Sequence, residues 1–155
     1  MFNGEILNKA FLEGLAVMGH RDILMVVDAA FPIPETGCRR VDLAITKDLP
    51  NVETVLTLLT NNFIYEECFV GEEQKLYNKL LFEKVTKIIN KPITIVPHDE
   101  IMYSYVKKAK VIIRTGAFEP WCNMVFVSGI DVPVWFEKEG TVLPNFYKEM
   151  AEKKE

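Results

Sequence analysis

The chain has 155 residues, 49% hydrophobic and 26% charged, with a net charge of −4. That length and composition suit one globular domain with a real core. The acidic balance provides no basic stripe to neutralise phosphates, which argues against nucleic acid, and no apolar run approaches the ~20 residues a bilayer-spanning helix needs.

Residues Asn3 to Met18 read as a helix, with Ile6, Leu7, Ala10, Phe11, Leu15 and Met18 at helical spacing and Gly19 placed to end it. Ile23 to Val27 is a continuous apolar run, the pattern of a strand covered on both faces. Arg40 to Ile45 alternates and predicts a second strand. Pro50-Asn51 opens a helix through Val52, Val55, Leu56 and Leu59 that Asn61 and Asn62 break. Phe63 to Val70 is strand-like. Glu72 to Asn90 predicts one long amphipathic helix, with Leu76, Leu80, Leu81, Val85, Ile88 and Ile89 on its apolar side. Ile93 to Val96, Val111 to Ile113 and Met124 to Val127 complete the strands, and Asp99 to Ala109 is helical.

Strands alternating with helices predict a three-layer α/β/α domain with a largely parallel central sheet. No repeat or low-complexity linker divides the chain, so residues 1–155 read as a single domain. Residues 130–155 form a C-terminal extension, in which Pro133, Trp135, Phe136 and Pro144 precede one short helix and a charged end. The N-terminus has no basic region followed by an apolar core and a small-residue cleavage site, so no signal peptide is expected. The three cysteines, Cys38, Cys68 and Cys122, are odd in number and form no CxxC. They fit reduced thiols in the cytoplasm better than a disulfide framework, and with two histidines they make a zinc site improbable.

The familiar catalytic signatures are missing. There is no GxGxxG after a strand, no GxxxxGK[ST], no HExxH and no GxSxG. What remains is a set of polar residues beside strand ends: His20, Asp28, His98, Arg114 and Asn123, with Trp121 among them. Ligands of open α/β sheets bind outside the carboxyl ends of the strands, where Asp28 follows Val27 and Arg114 follows Ile113. The two imidazoles offer an acid and a base that work near neutral pH. Asp28 can orient an imidazole or bind a hydroxyl, Asn123 can donate and accept, and a planar aromatic suits the C–H face of a sugar ring. Each also has a plain structural reading: turn amides for Asp28, an ion pair for Arg114, interface packing for Trp121. Cys122 as a nucleophile beside His98 lacks a supporting signature.

Gly19-His20-Arg21-Asp22, Val27-Asp28-Ala29-Ala30-Phe31-Pro32-Ile33-Pro34 and Arg40-Val41-Asp42-Leu43-Ala44-Ile45 resemble the N-terminal half of the RbsD/FucU family, the D-ribose pyranases and L-fucose mutarotases. Ile113-Arg114-Thr115-Gly116 and Glu119-Pro120-Trp121-Cys122-Asn123 resemble its C-terminal signature. The likeness runs from Met1 to about Gly129 and is nearer the ribose branch. It implies a cofactor-independent enzyme that interconverts ring forms or anomers of a free aldose such as D-ribose or L-fucose. It further implies a homo-oligomer, often a ring such as a decamer, with the site at a subunit boundary. By resemblance His20 matches the catalytic proton donor, Asp28 and His98 match sugar-binding positions, and Trp121, Cys122 and Asn123 match a tripeptide that usually begins with Tyr. Arg114 joins the substrate-binding set from its strand-end position. Trp121 for Tyr, Ala117 for the usual Glu, and the longer tail are this chain's departures. The competing reading is a non-catalytic sugar-binding accessory of an uptake system; a nucleotide-binding module would need a phosphate cradle that the sequence does not contain.

Overall fold

The computed structural model describes residues 1–152. A six-stranded sheet carries strands β1 (Ile23–Val27), β2 (Arg39–Asp42), β3 (Tyr65–Gly71), β4 (Thr94–Val96), β5 (Ala109–Arg114) and β6 (Met124–Ser128) in the order β2-β5-β1-β6-β3-β4. β1 runs parallel to β5, β5 to β2, and β3 to β4. β6 is inserted antiparallel between β1 and β3. All strands but β6 therefore point one way, the largely parallel sheet that the alternation of elements predicts. The reversal of β6 brings its amino end to the edge where its neighbours end.

Side-chain alternation divides the core into two layers. Leu24 and Val26 of β1, Val111 and Ile113 of β5, and Met124 and Phe126 of β6 face one cluster. There they meet Phe11 of α1 (Lys9–Ala16), Leu56 and Leu59 of α2 (Val52–Asn62), and Leu81, Val85 and Ile89 of α4 (Lys79–Ile89). Met25, Val27, Ile112 and Val125 face the other way, against Phe31, Ile101 and Val106. Burial on both faces is why these strands read as unbroken apolar runs.

The helix over Asn3 to Met18 is shorter than its periodicity suggests. It starts at Lys9, because the Asn8 side chain caps it by accepting from the Phe11 amide at 2.9 Å. α2 is capped in the same way by Asn51, which accepts from Thr54 N–H. The single helix over Glu72 to Asn90 is two: α3 (Glu72–Tyr77) and α4, with Asn78 between them at φ −137° and ψ 62°. The Asn78 amide is used elsewhere, donating to Glu119 at 2.9 Å and to the Pro120 carbonyl at 3.2 Å. The break changes the helical phase, so Leu76 and Leu80, expected on the apolar side, are exposed. The helix over Asp99 to Ala109 begins at His98 as α5 (His98–Glu100), passes through a π-helical stretch (Ile101–Tyr105) and ends as α6 (Val106–Lys108). Past residue 130 the described chain holds two short helices rather than one, α7 (Val132–Trp135) and α8 (Asn145–Glu152). The final residues, 153–155, lie outside the described part.

Candidate active site

The topology delivers four of the candidate residues to one sheet edge. Asp28 follows β1, Arg114 ends β5, His98 follows β4, and Asn123 precedes the reversed β6. There a continuous chain of hydrogen bonds links three of them. The Asp28 backbone amide donates to Asn123 Oδ1 at 3.0 Å, and Asn123 Nδ2 lies 3.0 Å from His98 Nε2. A backbone N–H can only donate, so the Asn123 atom facing it must be the carbonyl oxygen. The amide nitrogen then faces His98 and donates to Nε2, which must carry a lone pair. This network therefore places the His98 proton on Nδ1. Asn123 is buried, with 2% exposure, which holds the arrangement rigid.

His98 is fixed from two further sides. Its backbone amide donates to the Glu73 carboxylate at 2.9 Å. Gly71 lies against its ring, and a Cβ there would come within 3.2 Å of His98 Cδ2. Asp28 is half-buried, and its Oδ1 accepts from the Ala30 amide at 2.8 Å. Burial pushes its carboxyl above the usual carboxylate range, outweighing the Ala30 amide, Asn123 and the other stabilising neighbours.

Arg114 makes the ion pair of its structural reading. Its Nε donates to the Ala29 carbonyl at 3.0 Å, and Nη1 reaches both Asp42 oxygens at 3.0 and 3.2 Å. This ion pair ties the ends of β5 and β2 together. For Asp42, burial works against ionisation, but Arg114 and Arg40 outweigh it and hold the carboxyl below its ordinary value. Arg114 also lines, with Asp28, Ala117, Phe118 and Glu119, a cavity of about 370 Å³. His98, Asn123 and Trp121 are not part of that lining; His98 and Asn123 connect to it through the Asp28 amide.

Trp121 sits in the left-handed region at φ 56°, a costly conformation for a bulky residue. Its carbonyl accepts from the buried Gln74 side chain at 2.8 Å, and its ring lies 5.3 Å from that of Tyr77. Cys122 points the other way. Its side chain is fully buried in the core, and burial pushes its thiol well above the ordinary value. The thiol is thus not offered to the cavity.

His20 stands apart. It lies in the turn before β1, at the opposite edge of the sheet. The Arg21 amide donates there to the Ser128 carbonyl that ends β6, at 2.9 Å. His20 Nε2 is 2.6 Å from Glu66 Oε1 at the start of β3, and Arg21 Nη1 donates to Glu66 Oε2 at 3.0 Å. Glu66, Glu73 and Gln74 were not singled out in the sequence. Among the described residues, no group of three or more His, Cys, Asp or Glu side chains is placed to hold a metal ion, and no helix is long and apolar enough to cross a membrane.

An imidazole and an amide are thus hydrogen-bonded in series to the backbone of Asp28, whose residue lines a small-molecule cavity at the carboxyl edge of an α/β sheet, the place where such folds bind ligands. Residues 1–131 match the RbsD / FucU transport protein family. The chain is 45% identical over 147 residues to D-ribose pyranase 2 of Rubrobacter xylanophilus, covering 94% of this chain and 95% of that protein. It is 39% identical to D-ribose pyranase 1 of Streptomyces griseus, over 92% of this chain and 94% of the relative. The structure of Bacillus subtilis RbsD complexed with D-ribose superposes with a TM-score of 0.77 at 28% identity, covering 84% of this chain and 98% of the other. A fucose mutarotase from Streptococcus pneumoniae, solved with L-fucose, shares the fold at TM-score 0.56 and 18% identity, over 80% and 94% of the two chains. This chain belongs to the RbsD/FucU family.

Proposed function

We propose that this protein is a sugar ring-form isomerase, a pyranase or mutarotase acting on a free aldose, with D-ribose the first candidate. The observation that carries the reading is the His98–Asn123–Asp28 hydrogen-bond chain, which ends at Asp28 in the lining of a cavity whose volume, about 370 Å³, falls within the small-molecule range. The 45% relative is named a D-ribose pyranase, which supports ribose over fucose.

Ring opening of a cyclic hemiacetal moves one proton. The anomeric O–H loses its proton to a base, the C1–O1 bond becomes a carbonyl, the C1–ring-oxygen bond breaks, and the ring oxygen takes a proton. Rotation about C1–C2 and reclosure inverts the anomer; attack by a different hydroxyl changes the ring size. Protons and electrons balance without a cofactor. His20 is assigned the proton shuttle. Asp28 and His98 are assigned to sugar hydroxyls and Asn123 to setting the His98 tautomer; Arg114, in the cavity lining, and Trp121, Cys122 and Asn123, the segment before β6, are assigned to the substrate-binding set, with Trp121 as an apolar face for the ring.

Within one chain His20 and Asp28 are on opposite sheet edges, so the reading places His20 from one subunit at the Asp28 pocket of another. A closed ring such as a decamer meets that requirement for every subunit. The exposed Val134 and Trp135 of the extension supply apolar surface for subunit contact. Residues 1–155 are taken as one domain with 130–155 appended, and the compartment as the cytoplasm.

Saturation-transfer NMR across a panel of free aldoses tests the function. Faster exchange between ring forms or anomers of ribose on adding protein is the expected result. Binding without faster exchange selects the non-catalytic accessory instead.

A further inference from the structure

We infer that Glu66 is a positioning residue for His20, fixing which ring nitrogen the imidazole offers to the substrate; this rests on His20 being the proton shuttle. Glu66 is held by two partners in a largely buried position. Its Oε1 is 2.6 Å from His20 Nε2, its Oε2 accepts from Arg21 Nη1 at 3.0 Å, and its side chain is only 10% exposed. One side is closed by Gly129, where a Cβ would lie 2.7 Å from Glu66 Cγ. A Cβ at that position would force the Glu66 side chain to shift.

The turn is shaped to make both contacts. Arg21 adopts φ 70°, an unusual conformation for a non-glycine residue, which turns the backbone between His20 and Asp22. Asp22 closes the turn, accepting from the Gly19 amide at 2.7 Å, and Lys110 holds the same oxygen at 2.7 Å. His20 and Arg21 are thereby aimed at different oxygens of one carboxylate.

The pairing settles the tautomer. An ionised carboxylate only accepts, so Nε2 of His20 carries a proton. Nδ1 has no hydrogen-bond partner among the described residues, and in the neutral ring it is the lone-pair nitrogen. The proton cycle then runs through Nδ1. It takes the anomeric proton, the ring becomes imidazolium with Glu66 beside it, and Nδ1–H returns the proton to the ring oxygen. Glu66 never exchanges a proton with the sugar; it orients the ring and faces the transient positive charge, the part played by the third member of a nucleophile–base–orienter set.

Glu66→Gln makes the inference testable without loss of shape. Arg21 can only donate, so the surviving carbonyl oxygen faces Arg21 and the new amide NH₂ faces His20. Nε2 must then accept, and the proton moves to Nδ1. Glu67→Gln is the control, because Glu67 pairs with Arg21 at 2.6 Å and does not touch His20.

The measurements are long-range ¹H–¹⁵N spectra of the imidazoles, of which the chain has two, and saturation-transfer kinetics with ribose. The expected result is an Nε2–H pattern for His20 in the wild type and an Nδ1–H pattern in Glu66→Gln. With it, kcat falls roughly 10- to 100-fold while KM stays within a few-fold, and Glu67→Gln keeps the wild-type kcat. Glu66→Asp, a carboxylate one methylene shorter, retains the Nε2–H pattern with an intermediate kcat, and it stands in if the Gln variant does not fold. A His20 tautomer unchanged in Glu66→Gln, or a kcat within twofold of wild type, overturns the inference. If the wild type accelerates no exchange, it is the functional reading that fails, and the tautomer spectra alone then decide the Glu66 pairing.

Discussion

His20 and Asp28 stand at opposite ends of strand β1. At about 3.3 Å per residue, its five residues separate the two sheet edges by roughly 17 Å. The turn does not fold His20 back toward Asp28; it aims it at Glu66 on the neighbouring β3. A proton cannot pass directly between these groups within one chain, and that separation shapes the first expectation.

His20→Ala is expected to retain fold and assembly but lose most ring-form exchange, by ~10²-fold or more, the usual worth of a placed acid–base group. His98→Ala is expected to raise KM more than it lowers kcat, because His98 is tied into the Asn123 network and the proposed function assigns it to a sugar hydroxyl. Saturation-transfer kinetics separate the two. Exchange within a few-fold of wild type in His20→Ala assigns that histidine a structural role.

Trp121 can donate through its indole nitrogen but has no hydroxyl to relay a proton. Trp121→Tyr is therefore expected to raise pyranose-to-furanose conversion relative to anomer exchange. The Gln74 bond to the residue-121 carbonyl involves only backbone there, so the substitution leaves the local conformation in place. If the ratio of the two exchanges does not move, residue 121 is a packing surface only.

Asp28 carries a stability cost. Burial raises its carboxyl above the unfolded value, so its favourable contribution is complete only below that value and is lost as pH rises through the folded one. At neutral pH the ionised, half-buried group destabilises the fold. Asp28→Asn keeps an oxygen for the Ala30 amide, and its Tm is expected to exceed the wild type's at pH 7. The gap closes as pH falls toward ~3.9, the ordinary Asp value. A lower Tm than wild type at pH 7 contradicts the burial argument, and activity is expected to fall whichever way Tm moves.

The thiols are expected to be dispensable. Burial pushes Cys68 and Cys122 well above the ordinary thiol range, and Cys38 upward as well. Iodoacetamide on the folded protein at neutral pH is expected to leave Cys68 and Cys122 unmodified by mass spectrometry, with exchange activity intact. Modification of Cys122 that tracks loss of activity contradicts the buried placement.

Much of this was legible in the chain because the apolar signal was strong. Ile23 to Val27 and Met124 to Val127 are covered on both faces, and their apolar runs locate β1 and β6 closely. Of the five polar residues read beside strand ends, Asp28, His98, Arg114 and Asn123 reach one edge and His20 the other. The convergence of those four needed β6 to be antiparallel, which local pattern does not encode, because a fully buried strand reads the same in either direction. Leu76 and Leu80 misled because hydrophobic period takes no account of the tertiary bonds that draw Asn78 out of a helix. Glu66 gave no signal: a Glu-Glu pair at a strand start looks like a solvated edge until strand order sets it beside His20. Cys122 shares its segment with Trp121 and Asn123, and only the alternation of side chains turns its thiol into the core.

The most direct test of the account uses mixed assemblies. His20→Ala subunits keep Asp28, and Asp28→Ala subunits keep His20; each homogeneous preparation is expected to be nearly inactive. When the two are coexpressed in equal amounts and purified together, a site built from two chains is intact wherever the right subunits adjoin, in about a quarter of cases under random mixing. Saturation-transfer NMR on ribose is then expected to recover roughly that share of wild-type exchange. A mixed assembly no more active than either variant alone would place His20 and Asp28 in the same chain's site and contradict the shared-site mechanism.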